Sequence, residues 1–240
     1  MSYCREEELR SALLLGAAAL EKLHRAHVAV FGVGGVGGFA CEALARCGVG
    51  EMTLIDNDTV SLSNINRQII ALHSTVGSYK THVMKERIAD INPDCQVHTV
   101  NAFYLPENSA DFPLDGYDYI VDAIDTVSAK IDLAVRAHHA GIPLISSMGT
   151  GNKLDPTALT VTDLSKTTGC PLARVMRREL KQRGIQHLKV VYSTESPAPR
   201  AEDAPKETDG QRKLIASLPF VPATAGLILA SEVVKDLCSK

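Results

Sequence analysis

The residues best suited to chemistry are Asn64 and Arg67 in DNDTVSLSNINRQ, Lys80 shortly after, and Asp122 and Asp125 in VDAIDT. An arginine offers a planar fork to phosphate oxygens and a lysine a compact charge. A carboxylate at the C-terminal end of a buried strand suits Mg2+, a hard cation that bridges phosphates. Taken singly, Arg67 and Lys80 read better as solvated surface charges, and Asp122 fits a turn or helix-capping carboxylate as well as a functional one.

Upstream stands VFGVGGVGGFACEAL, with Gly32-x-Gly34-x-x-Gly37 and a further glycine at Gly35. An apolar run precedes it and a helical run follows, the context in which such a loop cradles a nucleotide phosphate. Asp56 ends the next apolar run, where a carboxylate can accept hydrogen bonds from ribose hydroxyls. NAD and ATP fit equally to this point. Arg67, Lys80 and Asp125 together favour ATP, because a dinucleotide needs no such supply of cations beyond its ribose.

These residues require a scaffold that alternates strand and helix. Residues 5–25 read as helical, with Gly16 as a break point. Strands are expected at His27–Phe31, Met52–Ile55, Gln96–Val100, Tyr119–Ala123 and Pro143–Ser146, and helices at Gly38–Cys47, Lys80–Ile91 and Ser128–Ala140. That rhythm predicts an α/β, Rossmann-like, doubly wound and mainly parallel sheet. After about Gly149 the rhythm changes. A strand is expected at Ala158–Thr162, a basic helix at Pro171–Arg183, a strand at Leu188–Tyr192 and a closing helix around 223–237. Residues 196–213, rich in Pro and charge, read as a mobile loop. The chain is thus expected to be one ATP-binding domain over 1–240, with a nucleotide-binding core at 27–150 and a C-terminal elaboration at 151–240.

The totals exclude several classes. Of the residues, 45% are hydrophobic and 22% charged, and the net charge of −3 gives no global basic field. No run approaches the ~20 apolar residues of a membrane span. None of the 6 cysteines is spaced C-x-x-C, so a zinc site of paired cysteine hooks is not expected. The N-terminus reads as lacking a secretory signal, so a reducing cytoplasm is expected.

GVGGVGG, TLIDNDTVSLSNINRQ, VGSYK, INP and VDAIDT, in that order, resemble the ubiquitin-activating-type adenylyltransferase superfamily. Its bacterial members include the molybdopterin-synthase and thiamine-biosynthesis adenylyltransferases. RSALLLG, NPDCQV, SSMGTGNKLDPT, VTDLSKT and CPLARVMRREL narrow the resemblance to the tRNA threonylcarbamoyladenosine dehydratase branch. The segment between Tyr192 and Pro219 departs from longer members in being short and polar. The resemblance implies MgATP as cofactor and adenylation of a carboxylate. Gly32, Gly34, Gly35 and Gly37 then lie at the phosphates, Asp56 at the ribose, and Asn64, Arg67 and Lys80 at the triphosphate. Asp125 holds Mg2+, with Asp122 beside it. The resemblance also implies a homodimer in which Arg10 reaches the partner's ATP site, a tRNA substrate, and room for a sulfur-transfer or redox partner.

Two features stay open. Arg174, Arg177, Arg178 and Lys181 fall at helical spacing and fit either a tRNA-facing surface or a solvated charged face. Cys170 fits an acyl-accepting thiol or a small packing residue, and packing is the expectation, because ring closure within the substrate needs no protein nucleophile. The nearest rival activity is activation of the C-terminus of a small ubiquitin-like sulfur carrier. A NAD-dependent oxidoreductase and a non-catalytic nucleotide-sensing scaffold are further alternatives.

Overall fold

A computed structural model of the protein describes residues 5–204 and 215–239. Seven strands form one sheet in the order β3-β2-β1-β4-β5-β7-β6. They are β1 His27–Phe31, β2 Glu51–Ile55, β3 Gln96–Val100, β4 Tyr119–Asp122, β5 Leu144–Ser147, β6 Leu159–Asp163 and β7 Lys189–Ser193. All neighbours pair in parallel except β6, which lies antiparallel to β7 at the sheet edge. Both strands of the elaboration therefore continue the core sheet.

The helices are α1 Leu9–Leu15, α2 Ala17–Arg25, α3 Gly37–Arg46, α4 Lys80–Ile91, α5 Val127–Ala140, α6 Pro171–Gln182 and α7 Phe220–Ser239. Helices cover both sheet faces, which explains why Val28–Phe31 of β1 and Tyr119–Val121 of β4 are apolar and buried. Along β1, Val28 and Val30 face one core cluster, with Leu44 of α3 and Leu229 of α7. Ala29 and Phe31 face the other, with Leu133 of α5 and Met176 of α6.

The helix expected over residues 5–25 is two helices behind a 3-10 turn at Glu6–Glu8. Gly16, at φ 82° and ψ 157°, ends α1 and redirects the chain into α2. Of the expected mobile loop, residues 205–213 lie outside the described residues, and 196–204 form no regular element. Among the described residues, no helix is long and apolar enough to cross a membrane.

Candidate nucleotide site

The sheet reverses its winding between β1 and β4, and in such sheets ligands bind outside the strand carboxyl ends at that point. The glycine loop leaves β1 there, and the loop bearing Asp125 leaves β4. The two are stitched together, since Ala123 N donates to Phe31 O at 2.8 Å. Gly32 has φ +90°, and a side chain on it would stand 2.6 Å from Ala123 O. A side chain on Gly37 would stand 1.8 Å from Gly32 O, so the tight entry into α3 admits only glycine.

Asp56 follows β2 and is the site's hinge. Its Oδ2 accepts from Val33 N of the glycine loop at 2.7 Å, and its Oδ1 accepts from Asp58 N at 2.8 Å. Asp58 in turn holds Lys80, whose Nζ lies 2.6 Å from its Oδ2. The backbone secures the pair, with Lys80 N donating to Asp58 O at 3.0 Å and Val60 N to Ser78 O at 2.9 Å. Lys80 is thus a buried ammonium held at the first turn of α4 by an exposed carboxylate. Asp58 was not legible as its partner, although DND placed a second carboxylate two residues beyond Asp56.

Asn64 closes a 3-10 turn, its Oδ1 accepting from Ser61 N at 3.1 Å. Arg67 Nη1 donates to Ser63 O at 2.8 Å and to Asn66 Oδ1 at 2.9 Å. Asn66 Nδ2 donates to Ser217 O at 2.9 Å, tying this turn to the chain that leads into α7. On the other side of that chain, Asn152 N donates to Ala216 O at 2.7 Å and Asn152 Oδ1 accepts from Ala216 N at 3.1 Å. The loop after β5, with Gly149 and Gly151, is thereby linked to the arginine turn.

Asp122 and Asp125 part company. Asp122 is wholly buried, its Oδ2 accepting from Ser146 Oγ at 2.6 Å and lying 2.9 Å from the equally buried Lys130 Nζ. Its Oδ1 accepts from Ile124 N at 3.2 Å. With both oxygens engaged and no exposed surface, Asp122 cannot serve as a direct ligand and instead underpins the loop that presents Asp125. Lys130 and Ser146 escaped the sequence reading, though a lysine among the buried positions of α5 is the signal that could have found them. Asp125 is exposed, and among the described residues its carboxylate accepts one hydrogen bond, from Thr126 Oγ1 at 3.3 Å. Among the described residues, no three His, Cys, Asp or Glu side chains form a metal cage. One free carboxylate beside a glycine loop is a donor set that would fit Mg2+ shared with phosphates.

The remaining expected residues lie elsewhere. Arg10 is exposed on the first turn of α1, beside the exposed Leu9, Leu13 and Leu14. On α6 the predicted common basic face needs correction. Arg177 turns inward, its Nη1 donating to Thr167 O at 2.7 Å and Thr167 Oγ1 at 2.8 Å. Arg178 is exposed but paired with Glu179 at 2.7 Å, and Arg174 and Lys181 are exposed as well. Cys170 is buried at the N-cap of α6, in the core cluster with Ala173 and Met176. A cavity of about 310 Å3 lined by Arg5, Glu8, His24 and Asn92 opens at the other end of the strands, apart from every residue expected to bind nucleotide.

The chain is 48% identical over 236 residues to the tRNA threonylcarbamoyladenosine dehydratase of Bacillus subtilis, covering 95% of this chain and 93% of that one. The crystal structure of the Escherichia coli tRNA N6-threonylcarbamoyladenosine dehydratase in complex with ATP superposes with TM-score 0.87 at 39% identity, covering 98% and 95% of the two chains. The same enzyme in complex with AMP superposes with TM-score 0.85 at 40% identity, over 96% and 93%. The model of the ThiF family matches residues 7–240, and the chain belongs to the ThiF family.

Proposed function

We propose that this chain is an ATP-dependent tRNA threonylcarbamoyladenosine dehydratase that cyclises the modified side chain through carboxylate adenylation. The observation that carries this reading is its likeness, along almost its whole length, to dehydratases, one of them solved with ATP. The convergence of the glycine loop, Asp56, Arg67, Lys80 and Asp125 on the switch point supports it.

A carboxylate resists attack because its leaving group would be oxide. One carboxylate oxygen of the threonyl side chain attacks the α-phosphorus of ATP, and the bond to the β-phosphate bridging oxygen breaks. Pyrophosphate leaves and an acyl-adenylate forms. A nucleophile within the same side chain then attacks the acyl carbon. The acyl–oxygen bond breaks, AMP departs with the former carboxylate oxygen, and the nucleophile's proton is released. The net change in the nucleoside is loss of water.

The protein's part is positional and electrostatic. The loop amides around Gly34 and Gly35 and the start of α3 receive the phosphates, and Asp56 accepts from the ribose. Asn64, Arg67 and Lys80 offset charge that builds on the phosphate chain. Asp125 would hold Mg2+, which when bound would supply further positive charge against the phosphates. Lys80 changes partners on ATP binding, from Asp58 to phosphate. The active form is a homodimer in which Arg10 reaches the partner's ATP, the exposed leucines of α1 lying beside it. Arg174 and Lys181 of α6 face the tRNA backbone, and the reaction takes place in the cytoplasm.

The test incubates the protein with MgATP and tRNA bearing threonylcarbamoyladenosine, following AMP release and nucleoside mass. A water-sized mass loss matched by AMP is expected. AMP formation that requires a small glycine-tailed protein instead would overturn the proposal in favour of sulfur-carrier activation.

A further inference from the structure

Among the described residues, Asn152 is the only non-glycine residue with a left-handed backbone, at φ 56°. Such a conformation persists in a non-glycine residue where the surroundings hold it, and such residues cluster at active sites. Three hydrogen bonds hold it here. Asn152 N donates to Ala216 O at 2.7 Å, its Oδ1 accepts from Ala216 N at 3.1 Å, and its carbonyl accepts from Ala198 N at 2.7 Å. The chain that leaves β7 and the chain that enters α7 thus meet at one asparagine. The fit is close on its other side too, since a side chain on Gly151 would stand 2.1 Å from Ile215 Cγ2.

The residue after Ala216 carries the contact onward. Ser217 O accepts from Asn66 Nδ2 at 2.9 Å, and Asn66 Oδ1 accepts from Arg67 Nη1 at 2.9 Å. Asn66 is exposed, so these bonds rather than packing fix its amide. An arginine is long and rich in rotamers, and an acceptor fixed beside its guanidinium selects one arrangement before a ligand arrives. The path from Asn152 to Arg67 therefore runs through Ala216, Ser217 and Asn66. It joins the loop after β5 to a residue 85 positions earlier in the chain.

We infer that Asn152 is a positioning residue for the adenylation step: by fixing Ala216 and Ser217 it holds Asn66, and through Asn66 it sets the guanidinium of Arg67. This rests on the role proposed for Arg67 above. Among the described residues Asn152 has no hydrogen bond to Arg67 itself, so it acts only through the relay. A purely structural Asn152 would lower stability and leave the chemistry of the folded protein untouched. The relay makes a different claim. Losing Asn152 and losing Asn66 release the same guanidinium, so the two losses are one and do not add.

The test follows ATP–pyrophosphate exchange with tRNA bearing threonylcarbamoyladenosine, together with melting temperature. It compares wild type, Asn152→Gly, Asn152→Asp, Asn66→Ala and the double variant of Asn152→Gly with Asn66→Ala. Glycine keeps the left-handed backbone and removes only the side-chain acceptor. Asn152→Gly should lower kcat by about tenfold, a loss on the scale of a misplaced group. Asn152→Asp, which keeps an acceptor oxygen, should restore most of it. The double variant should be no slower than Asn66→Ala alone. Wild-type kcat in Asn152→Gly, or single losses that multiply in the double variant, overturns the relay. If Asn152→Gly folds poorly, the exposed Asn66→Ala decides: a loss of about tenfold supports the relay, and wild-type kcat overturns it. Arg67→Ala separates the relay from the reading beneath it. Wild-type exchange in Arg67→Ala overturns both, whereas impaired exchange there with wild-type exchange in the other variants overturns the relay alone.

Discussion

Lys130 and Asp122 form an ion pair of 2.9 Å with both side chains fully buried, directly beneath the loop that presents Asp125. Two desolvated charges are tolerated there because Ser146 and the backbone of Ile124 satisfy the rest of the carboxylate. Lys130→Met should leave that charge uncompensated and cost about 3–5 kcal/mol. Lys130→Met combined with Asp122→Leu should recover much of the loss. Urea unfolding of the single and double variants checks this, and a single-variant cost near zero would contradict it.

Asp125 is exposed and, among the described residues, bonded only to its neighbour, so its removal should spare the fold. Asp125→Asn should leave the melting temperature within a degree or two while lowering ATP–pyrophosphate exchange by about 100-fold or more, the scale for removing a charge that stabilises a transition state. Exchange at the wild-type rate would remove Asp125 from the chemistry.

Arg177 and Arg174 share α6 but should behave differently. Arg177 holds the turn at Leu164–Lys166, so Arg177→Ala should lower thermal stability. Charge reversal at Arg174 and Lys181 should instead weaken tRNA binding and reduce the slope of log affinity against log salt by up to about 2, with ATP affinity unchanged. A filter-binding salt titration measures this, and an unaltered slope would remove α6 from the tRNA surface.

Glu8 anchors the N-terminal helices, accepting from Arg5 at 2.5 Å and bonded to His24 at 2.7 Å. Burial alone would raise its carboxyl, but the bonds from Arg5 and His24 outweigh burial and hold it below its ordinary value. A carboxyl held low contributes stability that is complete above its unfolded pKa, about 4.3, and is lost as pH falls through the folded value. Glu8→Gln should therefore be less stable than wild type at pH 7, with the gap closing between about pH 5 and pH 3. Melting curves across that range test it, and parallel profiles would contradict it.

Much of the scaffold was legible because its signals are local. Val28–Phe31 is apolar throughout, being buried on both faces, and glycines follow it at once. Gln96–Val100 and Lys80–Ile91 fall where periodicity and the closing Asn92-Pro93 put them. What stayed hidden depends on partners far along the chain. Asp122 resembles Asp125 in sequence, and only Ser146, 24 residues away, and Lys130 reveal that it faces inward. Arg177 looks like its basic neighbours until the turn carrying Thr167 folds beneath it. Asn66 looks like loop polarity until Ser217, 151 residues on, accepts its amide.

The central claim is that an inert carboxylate becomes a mixed anhydride with AMP, and a heavy-oxygen label tests it most directly. The threonyl carboxylate of the tRNA substrate is labelled, the protein turns it over with MgATP, and the nucleotides are analysed by mass spectrometry. The account predicts one labelled oxygen in the phosphate of AMP and none in pyrophosphate. Unlabelled AMP, or label in inorganic phosphate released with ADP, would contradict it.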